Sequence, residues 1–318
     1  MIFIKLTNHI FSLNLKNVIT YAELNLKVLL SNVRTLFISK IYLPKYLANI
    51  DWLCYFLVLE IKIIKKMIKD KTYQKLLKII ELRGSGFIQL IDPDKLSWEK
   101  APDLISSSIE AGVDAFFVGG SFLMAENFNE FVKHIKLHAG DHPVIIFPGS
   151  LYQISPNADA ILFLSLISGR NPEHLIGSQV AAAPILWKLG LEAISCGYML
   201  IESGKRTSAE FVSNSIPIPK NKPNIALAHA LAAQFLGMKT IYLEAGSGAQ
   251  ESVPSEMISL IHEEINVPLI VGGGIRSPET ASEKIKSGAN IIVVGNFFEK
   301  EGSSALMKEF ADAVHTRS

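Results

Sequence analysis

Glu244 is the one carboxylate in the run Tyr242-Leu243-Glu244-Ala245-Gly246-Ser247-Gly248, and two further glycine clusters follow, Val271-Gly272-Gly273-Gly274-Ile275 and Val294-Gly295-Asn296. Each cluster closes an apolar run. Glycines let backbone N–H groups approach an anion, and a helix starting just after them points its positive end the same way. Together the three clusters make a phosphate corner. A carboxylate beside it can bind a hydroxyl of the phosphorylated compound or remove its proton.

A second group of residues lies well upstream. Ile91-Asp92-Pro93-Asp94-Lys95 ends an apolar run, and Asp92 is a hard oxygen ligand suited to Mg2+ shared with phosphate oxygens. Asp-Pro-Asp also serves as a turn or a helix cap. Val118-Gly119-Gly120-Ser121 ends the next run, where the Ser121 hydroxyl either completes a metal's polar shell or caps the following helix.

Residues so far apart can meet if they all stand at the carboxyl ends of parallel strands. The pattern predicts eight strands, over 87–91, 115–118, 144–147, 160–166, 193–200, 240–243, 269–271 and 291–294. A helix is expected over 72–82, and others over 125–138, 225–236, 255–265, 278–287 and 304–314. This alternation is that of an α/β protein, a (β/α)8 barrel with its active site at the carboxyl ends of the strands. One outer helix is missing. Between the third and fourth strands lie only Pro148 to Asp159, without helical periodicity. Such a gap either leaves an apolar groove for something long and greasy or is covered by the loop itself.

Composition fits such an enzyme. The 318 residues are 49% hydrophobic and 19% charged, enough for one large core. The formal charge of +1 conceals an asymmetry: residues 1–66 carry nine Lys/Arg against three Asp/Glu, leaving 22 against 27 in the rest. Without a basic excess in the catalytic part, nucleic acid is not the expected partner. Cys54 and Cys196 are too few for a disulfide framework, and a reducing cytoplasm is the expected setting.

Residues 1–66 form a separate stretch without glycine and with one proline, Pro44. The run Trp52 to Leu59 is far shorter than the ~20 residues of a bilayer-spanning helix, and a signal peptide fits poorly. The expectation is an extension outside the native domain, which spans 67–318 from Met67 onward. A membrane-surface helix on Ile61 to Lys66, giving a membrane-surface binding protein, is the alternative.

In this order and spacing, Leu90 to Lys95, Val118 to Ser121, Phe147-Pro148-Gly149-Ser150, Tyr242 to Gly248, Val271 to Ile275 and Val294 to Asn296 resemble the geranylgeranylglyceryl phosphate synthase family. The resemblance runs from about Tyr73 to the end, and Ile201 to Thr207 is closer to the group holding many archaeal and Bacteroidetes enzymes. It implies a barrel without its third helix and transfer of a prenyl group, geranylgeranyl first among the candidates, from its diphosphate to the 3-hydroxyl of sn-glycerol 1-phosphate. It further implies Asp92 and Ser121 as the Mg2+ site. Tyr242, Leu243, Glu244, Ala245, Gly246, Ser247 and Gly248, with Gly273, Gly274, Gly295 and Asn296, would hold glycerol phosphate. Glu244 would be the base or a binding carboxylate. Relatives of this kind are dimers or hexamers, so a homo-oligomer is expected, with possible contact at a membrane periphery.

Other features carry less. His134, His138 and His142 step along one helix and read as a solvated face. Gly272-Gly273-Gly274 lacks the spacing of a dinucleotide-binding fingerprint. The competing enzyme reading keeps the barrel but assigns isomerase or aldol chemistry on a sugar phosphate.

Overall fold

The computed structural model describes residues 70–295 and 304–317. The expectations for residues 1–66 and for Asn296 lie outside them.

Eight parallel strands close into one barrel in sequence order: β1 (Gly86–Ile91), β2 (Ala115–Val118), β3 (Val144–Ile146), β4 (Ala160–Leu166), β5 (Glu192–Leu200), β6 (Thr240–Glu244), β7 (Leu269–Gly272) and β8 (Ile291–Val294). The ring closes where Ile88 of β1 pairs with Val293 of β8. Buried on both faces, β2, β3 and β8 are continuous apolar runs rather than alternating ones. The inner face is packed by Ile88, Phe117, Ile145, Leu162, Ile194 and Ile270. The outer face packs against the helices.

The helices are α1 (Lys71–Arg83), α2 (Ala101–Ala111), α3 (Phe128–Ala139), α4 (Ser178–Leu189), α5 (Ser208–Ser213), α6 (Pro223–Phe235), α7 (Ser255–Glu264), α8 (Pro278–Lys286) and α9 (Ser304–Val314). A π-helical turn, Glu173–Gly177, leads into α4. α3 begins later than the expected residue 125, because Asn127 before it takes a left-handed conformation, φ 61°. Ser121 is therefore not its cap.

α1 plugs the bottom of the barrel. Leu76 is 3% exposed within the inner core, and the first amides of the helix, Thr72 and Tyr73, donate to the two oxygens of Glu192 at 2.7 and 2.8 Å. Those amides have no partner within the helix, so the carboxylate at the start of β5 acts as the cap. Nearby on the same end, Asp114 accepts from Phe87 N (2.8 Å) and pairs with Arg83 (3.0 Å) and His315 (2.9 Å). The amides of Thr316 and Arg317 both donate to Arg83 O at 3.0 Å, which seats the carboxyl-terminal residues beside the end of α1.

No helix joins β3 to β4. Residues 147–159 are tied down by side chains instead. Gln153, fully buried, donates to Gly120 O (2.8 Å) and accepts from Gly120 N (3.2 Å). Asp159 accepts from Val144 N at 2.8 Å and pairs with Lys136 at 2.8 Å. Among the described residues no helix is long and apolar enough to cross a membrane.

Candidate active site

β6 reaches one residue beyond the expected end, to Glu244, because its pairing with β7 continues through Glu244 opposite Gly272. Strand alternation then decides which side chains face the barrel mouth. Tyr242 packs in the inner cluster, whereas Leu243 and Ala245 are buried in the outer one. Leu243 and Ala245 therefore offer a ligand their backbone and not their side chains.

Glu244 is 6% exposed, and its Oε1 accepts the amide N–H of Gly246 at 2.6 Å. Burial raises its carboxyl from 4.5 to about 7, and the Gly246 N–H and the Tyr242 hydroxyl hold it from rising further. A carboxylate so placed exchanges its proton near neutral pH. Two of the following glycines are required by what they approach. The end of the Tyr242 ring occupies the position a side chain at Gly272 would need, and a Cβ on Gly273 would stand 2.6 Å from Glu244 Oε1, with φ at +82° besides. Gly246 (φ 99°), Gly248 (69°) and Gly274 (69°) adopt left-handed backbone that favours glycine, in the two loops expected to form the phosphate corner. Gly295 follows β8, and a Cβ there would stand 3.4 Å from Leu90.

Asp92 follows β1. Its carboxylate takes the Asp94 amide at 3.1 Å, pairs with the Lys95 ammonium, and lies 3.4 Å from where a Cβ on Gly120 would be. Gly120 precedes Ser121, so the two proposed metal ligands are brought to adjoining loops. Among the described residues no group of three His, Cys, Asp or Glu could hold a metal by themselves. His134 turns to the Trp98 carbonyl at 3.2 Å.

A cleft of about 160 Å³ opens where the third helix is absent. Its rim includes Gly120, Ser121, Ser178 and Gln179; its wall is Ile161, Phe163, Leu166, Ala182 and Leu186. Ser178, Ala182 and Leu186 share one face of α4, so the cleft runs from a polar rim to an apolar floor over about 12 Å of helix. Tyr198 lines it too, its ring 5.4 Å from Tyr242 and 5.8 Å from Phe147, which stacks on Tyr242 at 5.3 Å. Burial pushes both tyrosine hydroxyls well above 10, so they stay protonated. Cys196, inside the barrel, is pushed up to about 12 and is no nucleophile.

The profile of the PcrB family matches residues 77–314. The geranylgeranylglyceryl phosphate synthase of Chitinophaga pinensis is 49% identical over 230 residues, 72% of this chain and 90% of that protein. The chain belongs to the geranylgeranylglyceryl phosphate synthase (PcrB) family. Another relative in this family, the synthase of Korarchaeum cryptofilum, is 47% identical over 71% of this chain and 92% of its own length. The crystal structure of the family's Thermoplasma acidophilum enzyme, (S)-3-O-geranylgeranylglyceryl phosphate synthase in complex with sn-glycerol-1-phosphate, matches with a TM-score of 0.71 and 33% identity, covering 76% of this chain and 96% of that one. In this member of the family, Gln153, Tyr198 and the short α5 are parts of the site's frame that the sequence motifs did not reveal. Gln153 and Tyr198 sit in a helix-less loop and an apolar strand, and only the closed barrel shows what they face.

Proposed function

We propose that the chain is an Mg2+-dependent prenyltransferase that joins geranylgeranyl diphosphate to the 3-hydroxyl of sn-glycerol 1-phosphate. One observation carries this reading. The apolar cleft and the phosphate corner meet at Tyr198 and Tyr242, whose rings are 5.4 Å apart, and Glu244 with its carboxyl near neutrality stands at that junction. A greasy donor and a small phosphorylated acceptor thus have adjoining seats.

The acceptor phosphate is held by the amides of Gly246, Ser247, Gly248, Gly273 and Gly274, with Gly295 beside them. Glu244 takes the proton of the 3-hydroxyl as its oxygen bonds to the allylic carbon and the bond from that carbon to diphosphate breaks. Positive charge grows on the allylic carbon as this happens. The faces of Phe147, Tyr198 and Tyr242 supply π density at the junction.

Asp92 and Ser121 would hold the metal. The donor set fits: the Asp92 carboxylate is already met by a cationic ammonium, and one carboxylate with one hydroxyl suits an ion that fills its shell from phosphates and water. When bound, Mg2+ supplies neutralisation of the diphosphate leaving group. The protein acts as a homo-oligomer in the cytoplasm, at most peripheral to the membrane. Trp187 on α4 and Phe235 on α6, about 81% and 80% exposed, are apolar surface such an assembly would cover.

The test is incubation with sn-glycerol 1-phosphate, Mg2+ and, in parallel, geranyl, farnesyl, geranylgeranyl and heptaprenyl diphosphates, followed by product mass. An organic-extractable phosphorylated ether, best with the geranylgeranyl donor, is expected. No ether with any donor would return the barrel to sugar-phosphate chemistry.

A further inference from the structure

The loop between β5 and α5 lies against the loop between β6 and α7, and the contact is specific. The carbonyl of Ser203 accepts the amides of Gln250 (3.2 Å) and Glu251 (3.3 Å). A Cβ on Gly204 would meet Gln250 Oε1 at 2.8 Å, and the Thr207 side chain fills the space beside Gly246. Thr207 is itself fixed as the cap of α5, accepting the Glu210 amide and donating to its carboxylate at 3.0 Å. From the other side, Arg276 donates to Ala249 O. The glycine loop is thus gripped on both flanks.

Two cations stand in the β5–α5 loop, and they go different ways. Arg206 lies over the ring of Phe211, 5.2 Å from its centroid. Lys205 turns toward the corner, its Nζ 3.7 Å from where a Cβ on Gly248 would be. Among the described residues no hydrogen bond or ion pair holds the Lys205 ammonium. The carboxylates nearest in the two loops are already engaged: Glu251 pairs with Lys220 at 2.5 Å, and Glu202 accepts the Lys220 amide at 3.2 Å. A positive charge is therefore presented, uncompensated, over the backbone amides of the phosphate loop.

We infer that Lys205 is the side-chain clamp of the phosphate corner: its ammonium binds the phosphate of the acceptor that the amides around Gly248 receive. The inference rests on the proposed acceptor site and adds a residue outside the three glycine clusters. Backbone amides alone bind phosphate as partial charges; a full charge on a flexible stem adds Coulomb attraction and follows the ligand in and out. Because Lys205 is exposed, the attraction is screened by salt.

The experiment is titration of sn-glycerol 1-phosphate into wild type, Lys205→Gln, Lys205→Arg and Arg206→Gln by calorimetry at low and high salt, with steady-state kinetics on each. Lys205→Gln should lose roughly tenfold in affinity for glycerol phosphate, with KM for it raised to match, kcat kept within about twofold, and a shallower salt dependence. Lys205→Arg should recover most of the loss, and Arg206→Gln should bind as wild type does. Equal binding by Lys205→Gln and wild type would overturn the clamp. So would equal losses in the Lys205 and Arg206 variants, or a loss confined to KM for the prenyl diphosphate. Wild type that fails to bind sn-glycerol 1-phosphate at all would instead overturn the acceptor site itself.

Discussion

The amide of Gly246 donates to Glu244 Oε1 at 2.6 Å, so the carboxylate proposed as the base and the loop proposed to receive the acceptor's phosphate are one hydrogen-bonded unit. On the proposed reading, a phosphate seated in that loop sets the acceptor hydroxyl against Glu244. Orientation of this kind is where much of a transfer enzyme's rate comes from.

Glu244→Gln keeps an oxygen for the Gly246 amide and removes the proton acceptor. Turnover should fall by roughly 10^2 to 10^4, while KM for glycerol phosphate changes little. Steady-state kinetics decide the matter: equal losses in kcat and affinity would make Glu244 a binding group only.

The same carboxyl sets a pH dependence. Only its ionised form accepts a proton, and burial lifts its pKa from 4.5 to about 7. In wild type kcat/KM should climb with pH through neutrality and level off above it. The Glu244→Gln profile should be flat over that range.

Stability should move in the opposite sense. Because the folded-state pKa is raised, the contribution of Glu244 to stability is fully present below pH 4.5 and is lost as pH rises through about 7. Above that point the fold carries a buried ion. Glu244→Gln should therefore be more stable than wild type at pH 8, by up to about 3 kcal/mol, with the gap closing toward pH 5. Urea melts at the two pH values measure it, and a variant less stable at pH 8 would contradict the burial of this ion.

Ala182 lies midway down the α4 face of the cleft, 8% exposed. Ala182→Phe should block the space below it and leave the rim intact. Activity with geranylgeranyl diphosphate should drop at least about tenfold more than with geranyl diphosphate, since each buried methylene contributes about 0.8 kcal/mol. Product yields from the two donors, compared by mass spectrometry, give the ratio.

Much of this was legible before the fold was known. Ala115–Val118, Ala160–Leu166 and Ile291–Val294 are strands over the residues that their apolar runs mark out, because strands buried on both faces admit few polar residues; the first and third stop where Gly119 and Gly295 follow. The missing helix after β3 is legible for the converse reason: residues 148–159 offer no apolar stripe to bury. What stayed hidden depends on distant partners. Glu192 looks like any charged residue before a strand until α1 brings its amides to it. Gln153 takes meaning only from Gly120, and Lys205 only from Gly248.

The seating of Thr316 and Arg317 on the Arg83 carbonyl latches the stretch after α9 to the carboxyl end of α1, at the floor opposite the mouth. That latch spans the seam where β8 meets β1, so the ring is tied at its closing point by loop hydrogen bonds as well as by strand pairing. Distance along the gene is a poor guide to this site: its parts are spread from Asp92 to Gly295, and they meet because a closed ring of parallel strands delivers every one of them to the same mouth.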